Sequence, residues 1–190
     1  MSNLAKLIGD ITQTCIKNKV ELLITSKSFV EIEGIKCPGY FDNTTLCVAG
    51  GKKDWVDVLV HESCHLDQYI ERVPIYEKCD SGILLIEKWL AGKLKDGKRV
   101  RKAFEDTILM ELDCEQRTVK KIKKYKLKIS ITNYIQQVNS YLLSYWMTHK
   151  NREWYPFPYN NPKIVKNMPK KFLSPKEYVA PDEKYLKFFL

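Results

Sequence analysis

Apolar side chains recur at helical spacing near the start of the chain, at Leu4, Leu7, Ile8, Ile11 and Cys15. This pattern predicts an amphipathic helix over residues 4–17. Short apolar or alternating runs follow, and they predict strands over residues 20–25, 29–35, 40–41 and 45–49. Turn residues separate these runs, and a Gly50–Gly51 pair ends the last one.

The next run is longer and covers residues 55–70, with apolar side chains at Trp55, Val58, Leu59, Val60, Leu66, Tyr69 and Ile70. Asp54 and Asp57 give it the acidic beginning that is typical of a helix. Because most of its side chains are apolar, we expect this helix to be buried.

Further helices are predicted over residues 81–90, 100–124 and 132–149, with an irregular turn at residues 73–75 before the first of them. The composition changes after residue 150. Prolines there are too frequent for long helices, whereas the many aromatic side chains are too apolar for a free tail. We therefore expect a domain formed by residues 1–150 and an extended segment, residues 151–190, wrapped over it.

The formal net charge of the 190-residue chain is +9, and lysines concentrate in residues 117–128. This concentration favours a solvated helix face, with a weak association with nucleic acid as the alternative interpretation. No sequence motif of a nucleic-acid-binding fold accompanies the charge.

Residues 1–19 lack the apolar core of an export signal, and no later run is long enough to cross a membrane. We therefore expect a cytoplasmic protein without a membrane partner. The six cysteines show no C-x-x-C pairing. Reduced thiols are the expectation for such a chain.

The buried helix carries the pattern H-E-x-x-H at His61, Glu62 and His65. The two histidines lie one above the other on one face, where they can hold one metal ion. Glu62 lies about 100° round the helix, where a carboxylate can take a proton from a metal-activated water. The alternative is a buried helix with two hydrogen-bonded histidines. Buried imidazoles beside a buried carboxylate need compensating partners, and zinc is one.

Two histidines and a water leave a tetrahedral zinc one protein ligand short. The remaining histidine, His149, does not stand at the metzincin spacing, so that class is excluded. Glu111 and Glu115 are four residues apart on an apolar face of the helix predicted over 100–124. One of them can bind the metal while the other accepts a hydrogen bond from a metal-binding histidine. Ion pairs with nearby arginines or lysines are the alternative.

An H-E-x-x-H helix followed by Glu111, Cys114 and Glu115 on a later helix resembles the gluzincin branch of the zincin-like metallopeptidases. The size and element order are most similar to minimal gluzincins such as the ImmA/IrrE-type proteins of phages and bacteria. The resemblance covers residues 1–125. Its firm motifs lie in two segments only.

This resemblance implies a role for each matching residue. The implied zinc ligands are His61, His65 and Glu111. Glu62 is the implied catalytic base and Cys114 the small residue that packs between helices. Glu115 is the implied acid behind a metal-binding histidine, although family members often have Asp or Asn there, so the roles of Glu111 and Glu115 can be exchanged.

The expected fold is therefore α+β and zincin-like, with a small mixed sheet packed on the H-E-x-x-H helix. The expected function is a zinc-dependent endopeptidase acting on a peptide or protein. The alternative is a silent or latent metal-bearing module that binds protein or nucleic acid. His149 and Tyr155 are candidate oxyanion donors, with Tyr69, Tyr141 and Tyr145 also eligible. The strand over 45–49 is expected at the sheet edge, where zincins lay an extended peptide.

Overall fold

A computed structural model describes residues 2–32 and 34–190, with the backbone alone described at Asp80. The chain forms two compact units. The first comprises Met1–Val73 and Cys114–Ile129, and the second comprises Pro74–Asp113 and Ser130–Leu190. Helices and strands are both present, so the predicted α+β class is confirmed. No helix in the described part of the chain is both long and apolar enough to cross a membrane.

The first unit begins with helix α1 (Asn3–Lys17) and contains five strands. These are β1 (Glu21–Thr25), β2 (Val30–Ile32), β3 (Ile35–Cys37), β4 (Gly39–Phe41) and β5 (Thr45–Ala49). Strand β5 is central in a three-stranded sheet, parallel to β1 and antiparallel to β4. The expectation that residues 45–49 form an edge strand is therefore wrong. Because β1 and β4 take the two edges, β5 is buried from Leu46 to Ala49.

The strand predicted over residues 29–35 is divided into β2 and β3. These two strands pair antiparallel, with Val30 opposite Cys37 and Ile32 opposite Ile35. Gly34 has φ +81° between them, a left-handed conformation that glycine adopts without strain. The part of the prediction that falls on Glu33 lies outside the described residues.

Helix α2 (Trp55–Ile70) packs beneath β4 and β5 in the first unit. A Cβ atom added to Gly39 would lie 2.6 Å from Val58 Cγ1 and 3.3 Å from Glu62 Cγ. Only a residue without a side chain allows β4 to pass this close to the helix. The sheet therefore lies directly against the H-E-x-x-H segment.

The second unit contains helices α3 (Pro74–Leu90) and α5 (Ile131–Asn151), and helix α4 (Lys98–Lys124) runs through both units. Helix α3 starts at Pro74, so the irregular turn predicted at residues 73–75 and the start predicted at 81 are wrong. Proline is well suited to the first helical position, because the amide it lacks has no partner within the helix there.

Short helical segments occupy much of residues 151–190. They are Pro158–Asn160, α6 (Pro162–Val165), α7 (Pro175–Val179), α8 (Glu183–Leu186) and Lys187–Phe189. This part of the chain packs on α5 within the second unit. Asn139 Nδ2 donates to the carbonyls of Pro169 and Lys171 at 2.8 and 3.0 Å, and Trp146 Nε1 donates to the Tyr178 carbonyl at 2.7 Å. The division into residues 1–150 and 151–190 stays a prediction.

Candidate metal centre

The two histidines of α2 face each other across a short gap. His61 Nε2 lies 3.1 Å from His65 Nε2, and the rings are nearly perpendicular, with an interplanar angle of 87°. Two nitrogens bound to one tetrahedral zinc at its usual bond length are about 3.3 Å apart. The observed spacing therefore matches a shared metal ion.

The opposite nitrogen of each ring is held by an oxygen. His65 Nδ1 lies 2.9 Å from Gln68 Oε1, and His61 Nδ1 lies 3.2 Å from Glu115 Oε1. An amide oxygen and a carboxylate oxygen accept hydrogen bonds, so both Nδ1 atoms donate. The two Nε2 atoms then face each other at a distance that suits either a shared proton, as in a hydrogen bond between the rings, or a metal ion bound to both.

Cys114 adds a sulfur to this group. The ligand atoms of His61, His65 and Cys114 all lie within 4.8 Å of one another, so the three residues can hold a metal ion. Cys114 Sγ lies 3.6 Å from His61 Nδ1 and 3.4 Å from the His61 carbonyl oxygen. The sulfur is therefore on the Glu115 side of the ring, and a metal bound to Cys114 would compete with Glu115 for that nitrogen.

Glu62 lies on α2 beneath β4 and is 8% exposed. Its negative charge helps to raise the pKa of the Cys37 and Cys47 thiols, although burial is the main cause in both cases. The Glu62 carboxylate is therefore near the sheet and next to the histidine pair on the same helix.

Two further groups near the histidines have shifted pKa values. Burial raises the pKa of Cys64, but the hydrogen bond with Cys114 and the charge of Lys121 outweigh burial and lower it to about 7. Burial raises the pKa of Asp57 to about 6, and the negative charge of Asp54 adds to the effect.

Lys121 ties the middle of α2 to α4. Its ammonium group donates to the Ser63 carbonyl at 3.0 Å and to Ser63 Oγ at 2.9 Å, and it pairs with Asp67 Oδ2 at 2.8 Å. Lys120, Lys123, Lys124, Lys126 and Lys128 are exposed on the same stretch. An association of this stretch with nucleic acid stays a prediction.

Of the predicted metal-site residues, the first unit brings together His61, His65 and Glu115. Glu111 is buried on α4, one helical turn before Glu115, and belongs to the second unit. Its role as third ligand stays a prediction. Gln68 was missed, although its place three residues after His65 on a helix is a signal that sequence reasoning could have used. Cys114 was considered only as a packing residue.

The candidate oxyanion donors have other contacts. His149 Nε2 lies 3.2 Å from Asp96 Oδ1, and its ring stacks on Trp89 at 5.3 Å. Tyr155 OH donates to the Phe189 carbonyl at 3.1 Å. Tyr141 and Tyr145 share a hydrogen bond at 2.8 Å, and the Tyr69 ring packs against Phe41. An oxyanion role for any of them stays a prediction.

No protein-family model, curated protein or solved structure matches this chain.

Proposed function

We propose that this chain is a zinc-dependent peptidase of the gluzincin type. The observation that carries the proposal is the arrangement of His61 and His65, whose Nε2 atoms converge at 3.1 Å while both Nδ1 atoms are held by oxygens. Histidines that bind zinc are commonly oriented in this way through their second nitrogen. Glu62, adjacent on the same helix, supplies the base that peptide hydrolysis needs.

Each residue has a distinct part in the proposed reaction. His61 and His65 would hold the zinc ion, which would supply a water of lowered pKa and polarise the substrate carbonyl. Glu62 accepts the proton of the attacking water and delivers it to the leaving amine. Glu115 and Gln68 hold the two imidazoles in the tautomer that presents Nε2, so the ligand geometry is set before the substrate arrives.

The position of β4 supports a peptide as the substrate. This strand is at the edge of the three-stranded sheet and passes over α2 at Gly39, beside Glu62. An extended peptide can bind to a sheet edge through main-chain hydrogen bonds. A peptide added along β4 would lie next to the proposed base.

Metal analysis of the full chain and three variants tests the ligand set. We expect one zinc ion per wild-type chain and loss of zinc in Glu111→Ala, the third ligand that the gluzincin resemblance implies. Glu115→Ala should weaken zinc binding by about 10- to 100-fold, because it removes the acceptor behind His61. Zinc lost in Cys114→Ala but retained in Glu111→Ala would make Cys114 the third ligand.

Replacement of the base tests the reaction itself. Glu62→Gln should retain zinc and lose peptide cleavage by about 100-fold or more, because an amide cannot accept the proton. Glu71→Gln, at the exposed end of α2, is the matched control and should cleave as the wild type does. Cleavage of a fluorogenic peptide pool is the measurement. Zinc binding without cleavage in the wild-type chain would favour the alternative of a metal-bearing binding module.

A further inference from the structure

A pair of thiols lies directly behind the proposed metal-binding histidines. Cys64 is on α2 between His61 and His65, and Cys114 is on α4 beside Glu115. The two thiols are hydrogen-bonded to each other, and neither residue is exposed. Cys114 Sγ also lies 3.4 Å from the His61 carbonyl oxygen. The pair therefore links the two helices at the level of the metal site.

We propose that Cys64 and Cys114 form an oxidisable pair, and that its conversion into a disulfide weakens metal binding at His61. The metal part of this inference rests on the proposed function. The disulfide part rests only on the positions of the two thiols. The oxidant named for the step is hydrogen peroxide, because two thiols need a two-electron oxidant to form a disulfide and these two sulfurs are buried away from bulky reagents.

The chemical step balances with hydrogen peroxide as the oxidant. One thiolate attacks a peroxide oxygen, the O–O bond breaks, and a sulfenic acid and water form. The second thiol then attacks the sulfenic sulfur, the S–S bond forms, and a second water leaves. Two thiols and one peroxide thus give one disulfide and two waters, and a dithiol such as dithiothreitol reverses the change by exchange.

The disulfide would act on the metal through His61. An S–S bond is about 2.05 Å long, which is shorter than any hydrogen bond between thiols, so the two sulfurs must approach each other when it forms. Glu115 follows Cys114 directly and holds His61 Nδ1 at 3.2 Å. In the proposed switch, the movement at Cys114 displaces the acceptor that orients His61. Loss of such an acceptor weakens metal binding by about 10- to 100-fold.

The test compares the full wild-type chain with Cys64→Ala and with Cys15→Ala, a matched control in which an equally buried cysteine of the same unit is replaced. Each protein is treated with hydrogen peroxide in the zinc-free and zinc-loaded states. Peptide mapping by mass spectrometry identifies cross-links, and a chromogenic chelator measures zinc affinity. Circular dichroism checks folding, and Cys64→Ser replaces the alanine variant if that variant is unfolded.

We expect a Cys64–Cys114 cross-link and at least a tenfold loss of zinc affinity in the wild type and in Cys15→Ala, both reversed by dithiothreitol. The zinc affinity of the Cys64 variant should not respond to peroxide. Two reduced thiols after treatment, or a cross-link that leaves zinc affinity unchanged, would overturn the inference. A reduced wild-type chain that binds no zinc would overturn the proposed function and the metal part of the inference, while the map of the zinc-free chain would still decide the disulfide.

Discussion

The two histidines of the candidate metal centre differ in the group that holds them. His61 donates to the carboxylate of Glu115, whereas His65 donates to the neutral amide of Gln68. A carboxylate raises the basicity of a metal-binding imidazole more than an amide does. His61 should therefore be the stronger ligand of the two. Gln68, which is fully buried, fixes the ring of His65 without adding a second negative charge to the site.

Asp57, in the first turn of α2, gives a pH-dependent prediction. Its pKa of about 6 lies above the ordinary value of 3.8, mainly because the side chain is partly buried and also because Asp54 repels the charged form. At pH values between these two pKa values, the folded chain binds more protons at Asp57 than the unfolded chain does. The free energy of unfolding must then fall as the pH rises from about 4 to about 6.

Asp57→Asn should remove this part of the pH dependence, so the variant gains stability relative to wild type as the pH rises through the same window. Asp54→Asn should have a smaller effect in the same direction, because burial of Asp57 remains. Urea unfolding at a series of pH values measures both variants. Equal slopes of unfolding free energy against pH in Asp57→Asn and wild type would contradict the origin assigned to the shift.

Sequence reasoning identified those candidate residues whose proximity follows from their spacing along one helix. The four-residue interval of His61 and His65 is enough to place both imidazoles together. Glu115 stood out because it is an acid among apolar positions. Cys114 was not considered as a ligand because a cysteine on an apolar helix face has the same pattern as a packing residue, and only the three-dimensional distance to His61 distinguishes the two roles.

At the scale of elements, the contact between α2 and the last turns of α4 depends on Lys121. Its side chain is 20% exposed, and its ammonium group contacts Ser63 and Asp67 as described above. Replacement by methionine keeps most of the apolar stem but leaves Asp67 and the Ser63 carbonyl without this donor. We expect Lys121→Met to lower the free energy of unfolding by about 1–3 kcal/mol.

Lys120→Met is the matched control, because Lys120 is the exposed neighbour on the same helix. A change of about 0.5 kcal/mol or less is expected there, as for most surface substitutions. Chemical denaturation followed by circular dichroism gives both values. Similar losses in the two variants would show that the buried contacts of Lys121 do not stabilise the first unit.

The elements themselves were predicted well where the helical pattern of apolar residues continues over many residues. The helices expected over 4–17, 100–124 and 132–149 are present as α1, α4 and α5, with ends that differ by at most two residues. The start of α3 was missed because residues 73–75 were predicted as an irregular turn, although proline is favourable at the first helical position. The central place of β5 could not be predicted, because strand order depends on long-range pairing with β1 and β4.

At the scale of the whole molecule, residues 151–190 supply apolar core to the second unit. The buried side chains of this segment include Ile164, Met168, Leu173, Tyr178 and Phe189. Burying a large apolar side chain contributes about 1.5–3 kcal/mol, so five contribute about 7–15 kcal/mol as an upper estimate. This range is comparable with the whole stability of a typical domain, about 5–15 kcal/mol.

A chain that ends at residue 150 should therefore lose the native packing of the second unit. We expect the amide protons of α5 to lose most of their protection against hydrogen exchange in that truncation. A chain that ends at residue 186 is the graded control, because it loses Phe189 but keeps Tyr178 and its contacts with Asn139 and Trp146. Native protection of the α5 amide protons in the chain that ends at residue 150 would show that the second unit folds without residues 151–190. The alternative function is a latent module, in which the chain binds metal but does not cleave peptides. Because residues 151–190 form part of a core, point substitutions in them test this alternative better than removal of the whole segment does.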